Sequence, residues 1–375
     1  MDFSFTEEQT LLRNMVQSFV SDNYDFDMRM KIVRSEDGMD RAIWQQFAEL
    51  GLLAAPFSEE MGGLDGGPVE TMVIMEELGR GLVVEPYLPT IVLCGGILNR
   101  HGSAAQKEGH LPGIIAGENI WALAFNEPQG RFNLADIVTS ARAEGDGYVL
   151  NGAKAVVLGG PWADKLIVSA RISGDQRDRD GVGLFIVDKS ADGVSTQDYP
   201  TVDGGRASEV TLENVTVSGD AMIGDAGSGL DILEEAVDYG IAAICAEAIG
   251  HMKMLNDATV EYCRTRKQFG VPIGSFQVLQ HRMVDMFMEY EQSVSMTYMV
   301  NMKLNEDAAA RAKAAAGAKV QIGKSGRFVG QQAVQLHGGM GMTEELNVGH
   351  FFKRLTMIDT QFGNVDHHLK RFAAA

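Results

Sequence analysis

Two short segments of this chain have the residue types and spacing to hold a phosphate-bearing ligand. One reads Arg266-Lys-Gln-Phe-Gly270 and runs on to Phe276-Gln277; the other, far down the chain, reads Gln335-Leu-His-Gly-Gly-Met-Gly341. Each closes a helical stretch with glycines, and glycine lets backbone and ligand meet without a Cβ in the way. Arginine suits such a place because its planar fork grips two phosphate oxygens. Taken singly, Gly338-Gly339 also reads as a plain helix terminator; the informative observation is that both segments occur together.

Other reactive residue types fall into no working pattern. The adjacent imidazoles of Asp366-His367-His368 point in different directions on a helix and cannot share a metal, so they are expected at the surface or in interface hydrogen bonds, with no metal site. Cys94, Cys245 and Cys263 form no CxxC spacing and read as buried, reduced thiols. No strand-turn-helix nucleophile elbow is present. The methionines suggest adaptable packing in a helical core and across interfaces.

Composition then narrows the class. Of 375 residues, 45% are hydrophobic and 22% charged, the balance of a globular protein large enough for more than one domain. The net charge of −19, from 32 basic and 51 acidic residues, disfavours a nucleic-acid partner. An anionic ligand needs local cations against that field, or a second chain to hold it. No apolar run is long enough to span a membrane, and the opening Met1-Asp-Phe-Ser-Phe-Thr-Glu-Glu8 lacks the pattern of a signal peptide. The expectation is a soluble cytoplasmic protein.

The elements that must position the two segments are legible in outline. Thr6 with Glu7, Glu8 and Gln9 predicts a helix N-terminus. Leu11, Leu12, Met15, Val16, Phe19 and Val20 then form an amphipathic stripe. Met61–Pro68 reads as a loop and Val69–Leu82 as helix. From Trp121 the pattern turns β-rich: Trp121–Phe125, Ile137–Ala143, Tyr148–Val157, Leu166–Ala170, Val182–Val187 and Glu209–Val217, with Gly145-Asp-Gly147 as a hairpin turn. Helix resumes near Gly229 as Leu230–Arg266, Phe276–Leu304 and Ala308–Leu336, lengths that suit a bundle. The expected fold class is α+β: an all-α domain over 1–117, a β-barrel-like domain over 118–226 and a four-helix bundle over 227–375.

This layout and the two segments together resemble the acyl-CoA dehydrogenase family over essentially the whole chain. The resemblance implies FAD as cofactor. It also implies that Arg266, Phe269, Gln277, Gln335, Gly338 and Gly339 contact the adenine dinucleotide end across a subunit interface. The ring side departs from the family. In Phe125-Asn-Glu-Pro-Gln-Gly-Arg-Phe132, Asn126 and Phe132 stand where the family has Thr and Ser, and Val156-Val157-Leu158 stands where it has Trp-Ile-Thr. Leucine cannot hydrogen-bond a flavin nitrogen, and valine cannot shield a ring face as indole does.

The family's catalytic glutamate removes an α-proton as hydride leaves the β-carbon for the flavin. Phe362 occupies its usual position, with Gly363 the alternative one residue on. Gly240 occupies the position used by a minority of the family, where the usual Arg is replaced by Ile241. Asp359, Asp238, Glu235 and Glu247 are the nearest carboxylates in sequence and are expected to be structural. The resemblance therefore points to the non-catalytic chain of a heteromeric enzyme, as among members acting on dicarboxylyl or steroid-side-chain thioesters. A homologous subunit would supply the glutamate in an α2β2 assembly, the substrate would be an acyl-CoA, and electrons would pass to an electron-transfer flavoprotein. A self-sufficient flavoenzyme with a relocated base, and a flavin-free scaffold, are the alternatives.

Overall fold

The computed structural model describes residues 5–374. Met1–Ser4, part of the signal-peptide reading, lie outside them. Helix α1 (Glu7–Asn23) starts as its sequence requires. The Thr6 hydroxyl accepts from the Gln9 backbone at 3.2 Å, and the Gln9 side chain accepts from the Thr6 backbone at 3.0 Å, a reciprocal capping box. There follow α2 (Phe26–Arg34), α3 (Arg41–Glu49), α4 (Pro68–Arg80), a π-helical run Leu88–Gly95, α5 (Gly96–His101) and α6 (Ala104–Ile115).

The strands are β1 (Trp121–Ala124), β2 (Ser140–Glu144), β3 (Gly147–Leu158), β4 (Lys165–Arg171), β5 (Val182–Asp188), β6 (Val194–Pro200), β7 (Arg206–Ser218) and β8 (Met222–Gly227). The helical remainder is α7 (Gly229–Thr265), α8 (Gln277–Lys303), α9 (Ala308–His337), α10 (Asn347–Thr360) and α11 (Val365–Ala374); between α7 and α8 lie the two-residue strands β9 (Lys267–Gln268) and β10 (Val271–Pro272).

The backbone forms two compact units. One combines residues 32–67 and 84–240. Its sheet runs β6-β7-β3-β2-β4-β5-β8, with β1 parallel to β4. Leu150, Leu166, Phe185, Val210, Leu212 and Val215 fill its core. The Gly145-Asp-Gly147 turn closes the β2–β3 hairpin as expected, with Glu144 paired to Gly147. The run expected from Ile137 becomes strand only at Ser140. The Val138 and Thr139 N–H groups are drawn instead to the Glu127 carboxylate, at 2.7 and 3.1 Å. The polar edge strand β6 and the wholly buried π-helical run carry no strong periodic signal. The run is fastened by Thr90, whose hydroxyl donates to the Trp121 carbonyl at 2.9 Å.

The other unit combines residues up to 31, 68–83 and 241–375. Helices α4 and α7 cross at backbone contact. A Cβ on Gly79 would lie 2.3 Å from the Glu247 carbonyl oxygen, and one on Gly250 would lie 2.1 Å from that of Glu76. The Ala-rich helix α9 buries Ala314, Ala315, Ala316 and Ala318 and lies beside α8, α10 and α11. Small residues allow this: a Cβ on Gly330 would meet the Phe352 ring at 2.7 Å. Cys94, Cys245 and Cys263 are free thiols and buried.

Candidate functional site

Helix α7 ends where the first segment begins. The Arg266 N–H donates to the Tyr262 carbonyl at 2.8 Å, and the chain turns back so that the Ile273 N–H donates to the Arg266 carbonyl, also at 2.8 Å. Between these bonds β9 and β10 pair antiparallel, with Val271 opposite Gln268. The two turn residues, Phe269 and Gly270, have φ of 55° and 84°, the double left-handed pattern of a type I′ hairpin. Asn-Gly is the favoured pair there; a phenylalanine at positive φ is strained. The residue is 92% exposed, and its ring rests edge-on against that of Phe276, with centroids 6.3 Å apart. Burial does not account for a strained, exposed aromatic.

Phe276 precedes α8 without a side-chain cap, and its carbonyl accepts from the Leu279 and Gln280 N–H groups at 3.0 and 3.1 Å, so the donors left for a ligand are those of Gln277 and Val278. Arg266 and Gln277 are both exposed. An uncapped helix N-terminus and an exposed guanidinium each favour an anion.

The second segment ends α9. Gly338 adopts φ 59° and ψ −138°, and a short 3₁₀ turn follows over Gly338–Met342. Cβ atoms added to Gly338 or Gly339 would meet nothing within 4 Å, and Gln335 is exposed, so bare backbone faces open space. His337 is buried, and its Nδ1–H donates to the Ala333 carbonyl at 2.8 Å. Its ring lies 4.4 Å from that of Tyr262, tilted by 31°. The structure therefore brings the ends of α7 and α9 together.

The loop after β1 is held by a buried ion pair that sequence reasoning missed. Lys154 Nζ donates to Glu127 Oε1 at 2.6 Å and to Ser169 Oγ at 3.0 Å, with both charged groups nearly solvent-free. Burial pushes the Glu127 carboxyl up, but Lys154 and the Thr139 and Val138 donors outweigh it and hold it below the usual range. Burial pushes the Lys154 ammonium down, to about 8. An apolar–polar alternation that places a lysine inward was the available signal. Beyond it β3 bulges between Lys154 and Val157, and Val156 sits at φ 52°, partly exposed. Asn126, Phe132 and Leu158 leave this stretch without side-chain hydroxyls at those positions.

The positions expected for a base contain none. Phe362, at φ 59°, and Gly363, at φ 110°, form the turn between α10 and α11. Gly240 lies inside α7. The neighbouring carboxylates are engaged: Asp359 accepts from Arg327 at 2.6 Å, Glu247 accepts from Arg354 at 2.6 and 2.7 Å, and Glu235 meets Arg100 at 3.3 Å and His101. Asp238 is buried. The expectation that His367 and His368 are surface or interface residues fails for His368, which is 1% exposed. Its Nε2–H donates to the Phe362 carbonyl at 2.9 Å, because α11 folds that face of the helix inward. Among the described residues no cluster could hold a metal ion, and no helix is long and apolar enough to cross a membrane.

Family models match the chain in three consecutive parts. They are the acyl-CoA dehydrogenase N-terminal domain over 6–118, the middle domain over 122–215 and the C-terminal domain over 227–375. The chain is 31% identical to mitochondrial isovaleryl-CoA dehydrogenase of Pongo abelii, over 93% of this chain and 84% of that protein. Among solved structures it is similar to the ChsE4–ChsE5 complex from Mycobacterium tuberculosis, with a TM-score of 0.91 and 26% identity over 100% of this chain and 98% of that one. It is similar also to the FAD complex of PigA, with a TM-score of 0.92 and 26% identity over 100% and 98%. Matched along its length in domain order, this chain belongs to the acyl-CoA dehydrogenase family of FAD-dependent oxidoreductases.

Proposed function

We propose that this chain is the non-catalytic member of a heteromeric acyl-CoA dehydrogenase and grips the dinucleotide of an FAD whose ring and acyl-CoA pocket belong to a homologous companion. The observation that carries the reading is a contrast within the fold. The dinucleotide segments are exposed, strained and open in ways that packing does not require, while both seats of the base hold residues that cannot take a proton.

The dinucleotide end of FAD fits these residues. Arg266 and the uncapped start of α8 at Gln277 suit a pyrophosphate. Phe269 offers a flat apolar face to the adenine side, and Gln335 with the bare backbone of Gly338 and Gly339 suits close polar contact. The ring end fits poorly, since Asn126, Phe132, Val156 and Leu158 replace its hydroxyls and indole. Bound FAD supplies the two-electron acceptor for α,β-dehydrogenation of an acyl-CoA to a 2-enoyl-CoA. In this reading the companion's glutamate takes the proton, electrons pass to an electron-transfer flavoprotein, and the assembly is α2β2. The ChsE4–ChsE5 structure, itself a complex, is a precedent within the fold.

The test is purification of the chain alone and with a co-expressed family member that retains the glutamate. One FAD per heterodimer, with activity confined to the complex, is the expected result. Flavin-loaded turnover by the isolated chain overturns the reading, and so does a complex that stays fully active when Arg266→Ala removes the guanidinium.

A further inference from the structure

We infer that Tyr262 and His337 are positioning residues that brace the two halves of the dinucleotide clamp against each other; the inference rests on the reading above. Neither residue is among those assigned a ligand contact, although His337 lies within the second segment. Tyr262 lies in the last turn of α7, His337 is the last residue of α9, and their rings stack at 4.4 Å.

Each is wired to one half of the clamp. On the α7 side, the Tyr262 carbonyl accepts from the Arg266 N–H at 2.8 Å, and the Arg266 carbonyl accepts from Ile273, closing the hairpin that carries Phe269. A Cβ on Gly274 would lie 2.9 Å from the Cys263 carbonyl, so the hairpin's return strand is seated against the same helix end. On the α9 side, the His337 ring is fixed by its bond to Ala333. The 3₁₀ turn packs back on it, with a Cβ on Gly341 lying 3.1 Å from that of His337. The rings therefore form the joint of a continuous path from Arg266 to Gly338.

A clamp made of two helix ends, with side chains and bare backbone contributed separately, works only if their spacing is held. A ring stack sets that spacing through two stiff, short side chains whose own backbones are the helix termini. Cutting the joint removes no group assigned to ligand contact but lets the hairpin and the Gly338 turn drift relative to each other. The loss is then in retention of the ligand, not in any single contact.

The experiment measures the rate of FAD release from the protein as purified, with any companion chain that co-elutes, by the rise in flavin fluorescence. Tyr262→Leu is expected to speed release roughly ten-fold, whereas Tyr262→Phe, which keeps the ring, stays within about two-fold of the parent. Val300→Ala, in the core of α8, serves as a control for general loosening. Arg266→Ala combined with Tyr262→Leu is expected to be less than additive, since both act on one clamp. Unchanged release in Tyr262→Leu while Arg266→Ala sheds FAD overturns the brace alone. Equal losses in the Leu and Phe variants, or in Val300→Ala, also overturn it. A parent protein without FAD, or an Arg266→Ala variant that retains it normally, overturns the reading beneath.

Discussion

The Lys319 ammonium donates to the Gly363 carbonyl at 2.8 Å and to the Asp359 carbonyl at 2.9 Å, entirely shielded from solvent. Together with the His368 bond to Phe362, it pins the turn between α10 and α11 from below. Under the proposed function, this is the turn on which Phe362 stands at the position expected for the base.

Replacing Lys319 with Met keeps the apolar stem but removes both donors. The two buried carbonyls lose their partners, at a cost of about 2–4 kcal/mol in the stability of this unit. Denaturant unfolding should register the loss, and hydrogen exchange should quicken at Gln361–Asn364 before it does in α8. Unchanged exchange there would show that the turn stands without the lysine.

Phe269 invites the opposite outcome. Its φ of 55° is strained for a bulky side chain and its ring lies in solvent. Phe269→Asn installs the preferred residue of a type I′ turn and should raise stability by up to about 1 kcal/mol. Under the proposed function the same substitution weakens FAD retention by the assembly. A variant both more stable and equally retentive would remove the case that this aromatic contacts a ligand.

How much of this was legible in the residues differs by element. The long helices and six of the strands follow from periodicity, and the helix start at Thr6 from side-chain chemistry alone. The strand β6 was not foreseen because its alternation is polar on both faces, as suits an edge. The π-helical run was hidden by uniform apolarity, which has no period to read. At the candidate site, Arg266, Phe269 and Gly338 were identifiable as local motifs. Lys154, Lys319 and Tyr262 were not, because each acts on a residue far away in sequence, and only the fold makes the pair. His368 was misplaced for a related reason: a helix of ten residues near the chain end gives little indication of which face turns inward.

Glu247 carries a pH prediction. Burial by itself raises its carboxyl, yet Arg354 and then His251 reverse this and hold it at about 2. The folded value lies below the ordinary 4.5, so this stabilisation is complete above pH 4.5 and lost as pH falls from there toward about 2. At about 1.4 kcal/mol per unit the loss approaches roughly 3–4 kcal/mol. Arg354→Met, which leaves the buried carboxylate with His251 but without its guanidinium, should cost about 3–5 kcal/mol at neutral pH and flatten the acid limb. Stability curves measured from pH 7 down to 3 for parent and variant decide it; parallel curves would mean that the pair does not set the acid sensitivity.

The final prediction concerns Phe362 and separates a missing base from a missing pocket. Lys319 and His368 hold the turn by its backbone, so Phe362→Glu should fold with the turn intact and place a carboxylate at the family's position. A carboxylate alone abstracts a proton usefully only where the electron acceptor is held beside the substrate. The stretch around Asn126 and Val156 offers neither the hydroxyls nor the aromatic face for a flavin ring. The isolated Phe362→Glu chain should therefore reduce no electron acceptor when given acyl-CoA thioesters of short, long or branched chain. Steady turnover from that one substitution would mean that the ring side is functional as it stands, and that only a carboxylate had been lost.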